Sequence, residues 1–230
     1  MCERFRSVFA LDSGAVVPCK PVDINFGYFS VDELFGRFGG NSFNAAAAGL
    51  PPTKMKTINL EKFRKARVWI NELPDASYHS LDVISHSVPV GSRGFAEIQT
   101  GAVELFVPLG ARSMYGLIGG YFEPMEGDNL SVEICISSSC ERLLSENLAG
   151  SSDEVRVGLP AEYVGGVVAG IDVACSRLKS IATGKIHINC AAHGVISSSE
   201  SIYTQITIAL INLFHCDEAV MSDSDLMVLF

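Results

Sequence analysis

The segment KIHINCAAHGVISSSESIYTQITIALINLF, residues 185–214, decides how this chain is read. Its first part, Lys185–Cys190, reads as a strand. Small residues from Gly194 to Ser199 then make a loop. Ile202, Ile206, Ala209 and Leu213 follow three or four apart, an apolar stripe along one side of a helix. Strand, loop and helix in so short a span imply α+β structure, with helices stacked on a sheet.

Upstream, Pro160 opens a second helix, since the first turn has an amide to spare, and Val164, Val167, Val168, Ile171, Cys175 and Leu178 share its apolar face. Tyr115–Phe122 and Ser131–Ile136 read as strands. Earlier still, Asn59 can cap a helix carrying Leu60, Phe63, Trp69, Ile70 and Leu73, ended by Pro74-Asp75. Leu81–His86 is a strand, Ser87–Gly94 a loop, and Phe95, Ile98, Ala102 and Leu105 recur at helical spacing.

The order helix, strand, loop, helix thus occurs twice. His86 and His193 each end a strand at an offset of 107 residues, and the helices that follow close on Phe106 and Phe214, offset by 108. The expectation is an internal duplication. Residues 1–110 and 111–230 would be two similar α+β halves, each a mainly antiparallel sheet with two helices packed on one face. Alternation before residue 30 adds two expected strands, around Phe5–Phe9 and Val22–Tyr28. The Gly/Ala-rich stretch 39–52 reads as a long surface loop or a flap over a site. The apolar end Leu226–Phe230 is expected to add an edge strand to this sheet or to a neighbouring subunit.

Composition narrows the function classes. Of 230 residues 48% are apolar and only 19% charged, which favours a large core and a homo-oligomer. A net charge of −9 argues against a nucleic-acid partner, because phosphate binding needs a basic stripe. No run of 18 apolar residues is present, so no membrane span is expected, and no signal-like apolar run follows Met1-Cys2-Glu3. Seven scattered cysteines without a Cys-x-x-Cys pair suggest buried thiols in the cytoplasm rather than a metal site. His187, Cys190 and His193 are spaced so that an extended strand turns them to different faces, which also argues against a metal. No dinucleotide fingerprint, phosphate loop or nucleophile elbow occurs, and no cofactor is expected.

The five histidines are His79, His86, His187, His193 and His215. His86 and His193, at equivalent loop entrances, are the candidate acid/base pair facing a cleft between the halves. The plainer alternative is that they only tie loop backbone. Arg93 and Arg112 are candidate ligand cations, and Ser198 and Ser199 could hold an anion at the last helix's N-terminus.

Two family resemblances bear on the fold. Pro160-Ala161-Glu162-Tyr163, then Val167 and Gly170-Ile171, match the Pro-x-Glu-Tyr-x-x-x-Val-x-x-Gly-Ile pattern of the fourth domain of elongation factor G-type translational GTPases. His193 followed by Ser198-Ser199-Glu200 is similar to that family's histidine loop, one residue longer. The resemblance covers residues 129–215 and implies a ribosomal-protein-type fold with a left-handed βαβ crossover. It places His193 at the tip that in the family enters the ribosome. The neighbouring tip loop is acidic here, Glu126-Gly127-Asp128-Asn129, so the family's function does not carry over. Formaldehyde-activating enzyme is a more distant resemblance, through His79 and Asp82 or His187 and Asn189.

The leading expectation is therefore a small-molecule-binding protein or cofactor-poor enzyme with histidine acid/base groups between two halves. An assembly or protein-interaction module is the alternative, and a ribosome-associated module the third.

Overall fold

The computed structural model describes residues 55–90, 93–94, 99–139, 141–178, 181–216 and 222–230, all within one compact unit spanning Gly49–Phe230. The expected strands before residue 30 and the 39–52 loop lie outside these residues.

The described residues form ten strands: β1 (Lys56–Asn59), β2 (Lys65–Ile70), β3 (Asp82–Pro89), β4 (Arg93–Gly94), β5 (Thr100–Leu109), β6 (Arg112–Pro124), β7 (Asn129–Ile136), β8 (Val155–Val157), β9 (Ile181–Ala182) and β10 (Gly184–Gly194). The helices are α1 (Val164–Arg177), α2 (Glu200–Phe214) and α3 (Asp223–Val228). The main sheet runs β1-β2-β5-β6-β10-β7-β3, with β8 beside the end of β10. All its pairings are antiparallel except β7 with β10, which α1 connects. A helical crossover is what a parallel pair requires.

Alternation decides which face each strand residue takes. Val132 and Ile134 of β7, and Ile186 and Ile188 of β10, are fully buried against the helices. Ile171 of α1 and Ile206 and Leu210 of α2 meet them, also fully buried. Each such side chain contributes about 1.5–3 kcal/mol by leaving water. The two helices approach closely because Gly166 and Gly170 have no side chains. A Cβ on Gly166 would sit 2.2 Å from the Glu200 carbonyl oxygen, and one on Gly170 2.7 Å from Thr207. Among the described residues no helix is long and apolar enough to cross a membrane.

The α+β class, with a mostly antiparallel sheet and few helices, is as expected. Two expected helices are strands. Residues 65–70 form β2, with Ala66, Val68 and Ile70 on the core side, while Phe63 is 88% exposed and belongs to no buried stripe. The described part of the 95–106 stretch is β5, whose Gly101–Leu105 are all buried. A strand covered on both faces has no polar face, so its apolar residues fit a helical spacing equally well. The two-halves duplication finds no support: the described residues of 55–110 contribute strands and a single 3-10 turn, and the whole of β5 pairs with β6 across residue 110. The C-terminal residues make α3 rather than an edge strand. Ser222 caps it through a reciprocal bond with Asp225, and Leu226 is fully buried in the core.

Among the described residues the second face of the sheet is only partly covered. Segments 72–78 and 141–157 lie over Trp69, Ala102, Tyr115, Leu117, Cys190 and Ala192. Glu104 is fully buried beneath them. Its Oε1 accepts from the Tyr115 hydroxyl (2.9 Å) and the Leu148 amide (2.7 Å), and its Oε2 lies 3.3 Å from Arg67 Nη1. Burial raises its carboxyl above the usual range, against the lowering effect of those partners. Glu104→Ala would leave a guanidinium, a hydroxyl and an amide without their partner, so we expect a loss on the order of 3 kcal/mol. Urea unfolding of the variant beside the parent measures it.

Candidate functional site

The half of this second face that no described segment of the hydrophobic cluster covers carries a row of polar side chains set by strand register. His187 of β10 is opposite Tyr121 of β6 and opposite Glu133 of β7. Lys185 is opposite Glu123 and Ser131, and Ser85 of β3 extends the row beyond Glu133. Neighbouring strands lie about 4.8 Å apart, so these side chains touch.

Glu133 binds two neighbours on β10. Its Oε2 is 2.9 Å from His187 Nδ1 and its Oε1 2.8 Å from Lys185 Nζ. The hydrogen bond and charge of Glu133 hold Lys185 above the ordinary lysine range. The Tyr121 ring stacks on the imidazole at 4.5 Å between centroids and 17° between planes. A carboxylate accepting at Nδ1 puts the neutral ring's proton there and leaves Nε2 as the basic nitrogen. Nε2 is 3.7 Å from Glu123 Oε2, beyond hydrogen-bond reach. The His187 side chain is 18% exposed and that of Glu123 62%. An oriented imidazole, a second carboxylate and a lysine on one open surface can take a proton from a bound molecule and hold the charge that results.

The residues singled out from sequence lie elsewhere. His86 is on the helix side of edge strand β3, its Nε2 2.7 Å from Asp172 Oδ1 of α1. His193 is buried at the end of β10, where its Nδ1 meets the Gly158 carbonyl oxygen (3.1 Å) beside Tyr163. Register sets His86 level with Ile186, two strands across and seven residues short of His193. At about 4.8 Å per strand and 3.3 Å per residue this separates them by some 20–25 Å. They do not face one another, and each ring already has a partner: one is hydrogen-bonded to a carboxylate on α1, the other to a loop carbonyl.

Ser198 donates to the Tyr115 carbonyl (2.7 Å) and accepts from the Gly194 amide (2.9 Å). Ser199 is the N-cap of α2 without a side-chain cap bond. The loop before α2 is pinned by Asp153, whose carboxylate takes the amides of Ile196 and Ser197. Arg112 is exposed at the start of β6, and the Arg93 backbone pairs with Ile181 of β9. His215 is a neutral structural histidine. Its Nε2 accepts from the Ala182 amide (3.0 Å), and its Nδ1 lies 2.7 Å from the Ile211 carbonyl oxygen, to which it donates.

His187 was visible in the sequence as a polar residue between two isoleucines. Tyr121, Glu123, Glu133 and Lys185 were missed as its companions, because only pairing across three strands unites them. Among the described residues no three His, Cys, Asp or Glu side chains are placed to hold a metal. Comparisons with protein-family models, with curated proteins and with solved structures each return no match.

Burial lowers His193 and His215 from the ordinary histidine value, so the folded chain holds both neutral. As pH falls below about 6.5 the unfolded chain takes up these protons first, and stability is lost by up to about 1.4 kcal/mol per pH unit for each. We expect unfolding free energy to drop between pH 7 and pH 5, and His193→Gln to make that drop shallower in urea titrations at the two pH values.

Proposed function

We propose that this chain is a small-molecule-binding protein or cofactor-poor enzyme whose acid/base group is His187, on the open face of the sheet. The observation that carries the reading is the Glu133–His187–Tyr121 arrangement: one nitrogen fixed by a carboxylate, the ring held by stacking, the other nitrogen turned to a second carboxylate. The ligand this suits is small and polar, with an acidic proton or an ionisable group that Nε2 and Lys185 can meet. Thiol chemistry is disfavoured, since burial pushes Cys175 up to about 11 and Cys190 up to about 12. Among the described residues Cys175, Cys190 and Cys216 are thiols outside any disulfide, in keeping with a reducing, cytoplasmic setting. The β7–α1–β10 unit, a parallel pair joined through a helix, supports the likeness to the elongation-factor domain, and that likeness speaks to fold alone.

The test is a nuclear magnetic resonance screen of the full chain against a panel of small polar metabolites. Ligands should shift the Tyr121, Glu133, Lys185 and His187 resonances, and His187→Ala should abolish those shifts with the fold unchanged. Any turnover found should fall on the order of 10²–10⁴-fold in that variant. Ligands that perturb only residues around His193, or that bind His187→Ala as well as the parent, would refute the assignment.

A further inference from the structure

The edge strand β3 reads Asp82-Val83-Ile84-Ser85-His86-Ser87-Val88-Pro89 and is nearly palindromic about His86. Serines flank the histidine, and branched apolar residues flank the serines. Among the described residues only β7 pairs with it, and no described strand lies along its outer side. Long open edges are templates for another strand unless a proline, a charge or a bulge blunts them. Here the blunting is at the two ends alone.

The backbone directions follow from one bond. The Val90 amide donates to the Asp128 carbonyl (2.9 Å), so even-numbered amides of this strand face β7 and odd-numbered ones face outward. The Val83 amide agrees: it is taken by the side chain of its own neighbour, Asp82 (2.8 Å), and not by β7. Pro89 has no amide hydrogen. Ser85 and Ser87 therefore carry the outward N–H and C=O groups at the strand's centre.

We propose that a second copy of this chain pairs antiparallel with β3 across a two-fold axis at His86, joining two sheets into one. In that register Ser85 of each copy faces Ser87 of the other, and their outward backbone groups form four hydrogen bonds. Ile84 faces Val88 on the helix side, and His86 faces His86. The pairing keeps helix-side residues opposite helix-side residues, which a register shifted by one residue would not. Ile84, 38% exposed in the single chain, gains an apolar neighbour. Each His86 stays bonded to its own Asp172, which turns both rings toward the helices and away from the seam. A strand that matches itself in reverse suits a copy of itself, because a two-fold interface uses the same residues on both sides. The inference is independent of the His187 site.

Sedimentation of the full chain should give a species of twice the 24.7 kDa chain mass that dissociates on dilution. Ser87→Pro removes an outward amide and leaves the pairing with β7 intact, so it should give a folded monomer. His86→Cys should form a disulfide between the two chains at position 86, found by peptide mass mapping, since directly opposed residues in such a pair lie within disulfide reach. A chain that stays at 24.7 kDa up to its solubility limit overturns the proposal. So does a dimer that survives Ser87→Pro while His86→Cys gives no link between chains at that position. Should the proline variant fail to fold, the disulfide of His86→Cys alone decides.

Discussion

The placement of β10 is the constraint on which the rest depends. It is hydrogen-bonded along one side to β6, antiparallel, and along the other to β7, parallel. Its side chains alternate between a dry face under α1 and α2 and a polar face with Lys185 and His187. A slip of one residue would turn Ile186 and Ile188 to water and bury the lysine and histidine beneath two helices. The same register that protects the core therefore assembles the polar row. Core and candidate site are two outcomes of one pairing.

The register departs from regularity between Ile188 and Cys190. Beyond that point the small residues Cys190, Ala191 and Ala192 continue the strand under close cover, and His193 is enclosed rather than presented. Histidines in similar sequence settings thus have different physical roles. His193 and His215 tie backbone carbonyls, His86 joins the edge strand to α1, and His187 keeps a ring nitrogen turned to the open face.

The second face shows how a sheet can be half core and half surface. Where segments 72–78 and 141–157 cover it, Glu104 is held within the protein: Tyr115 and Leu148 donate to one carboxylate oxygen, and Arg67 faces the other as an ion pair without a hydrogen bond to it. Where they do not cover it, charged side chains are solvated and pair with modest strength. The polar row on that side is thus available for a ligand without a large desolvation cost to the fold.

The α+β class, the pairing of strand with helix over 184–214, the start of α1 after Pro160 and the presence of a strand at Leu81–His86 were legible in the amino-acid order, because each rests on a local period or a local cap; Ser87–Pro89, read as the start of a loop, instead continue β3, so His86 lies within the strand and does not end it. What was not legible is instructive. Residues 65–70 and 100–106 satisfy both helical and strand spacings, and cover on the second face by distant segments made them strands. The Leu226–Phe230 end was recognisably unfit for water, but its helical form required the Ser222 cap to be seen with Asp225. His187 could be read as an inward or outward residue of a strand, yet its meaning depends on Tyr121 and Glu133, which lie far from it along the chain. Local chemistry settled which segments are apolar, capped or alternating. Only tertiary pairing decided which polar groups meet, because contact between strands is a property of register and not of neighbours in sequence.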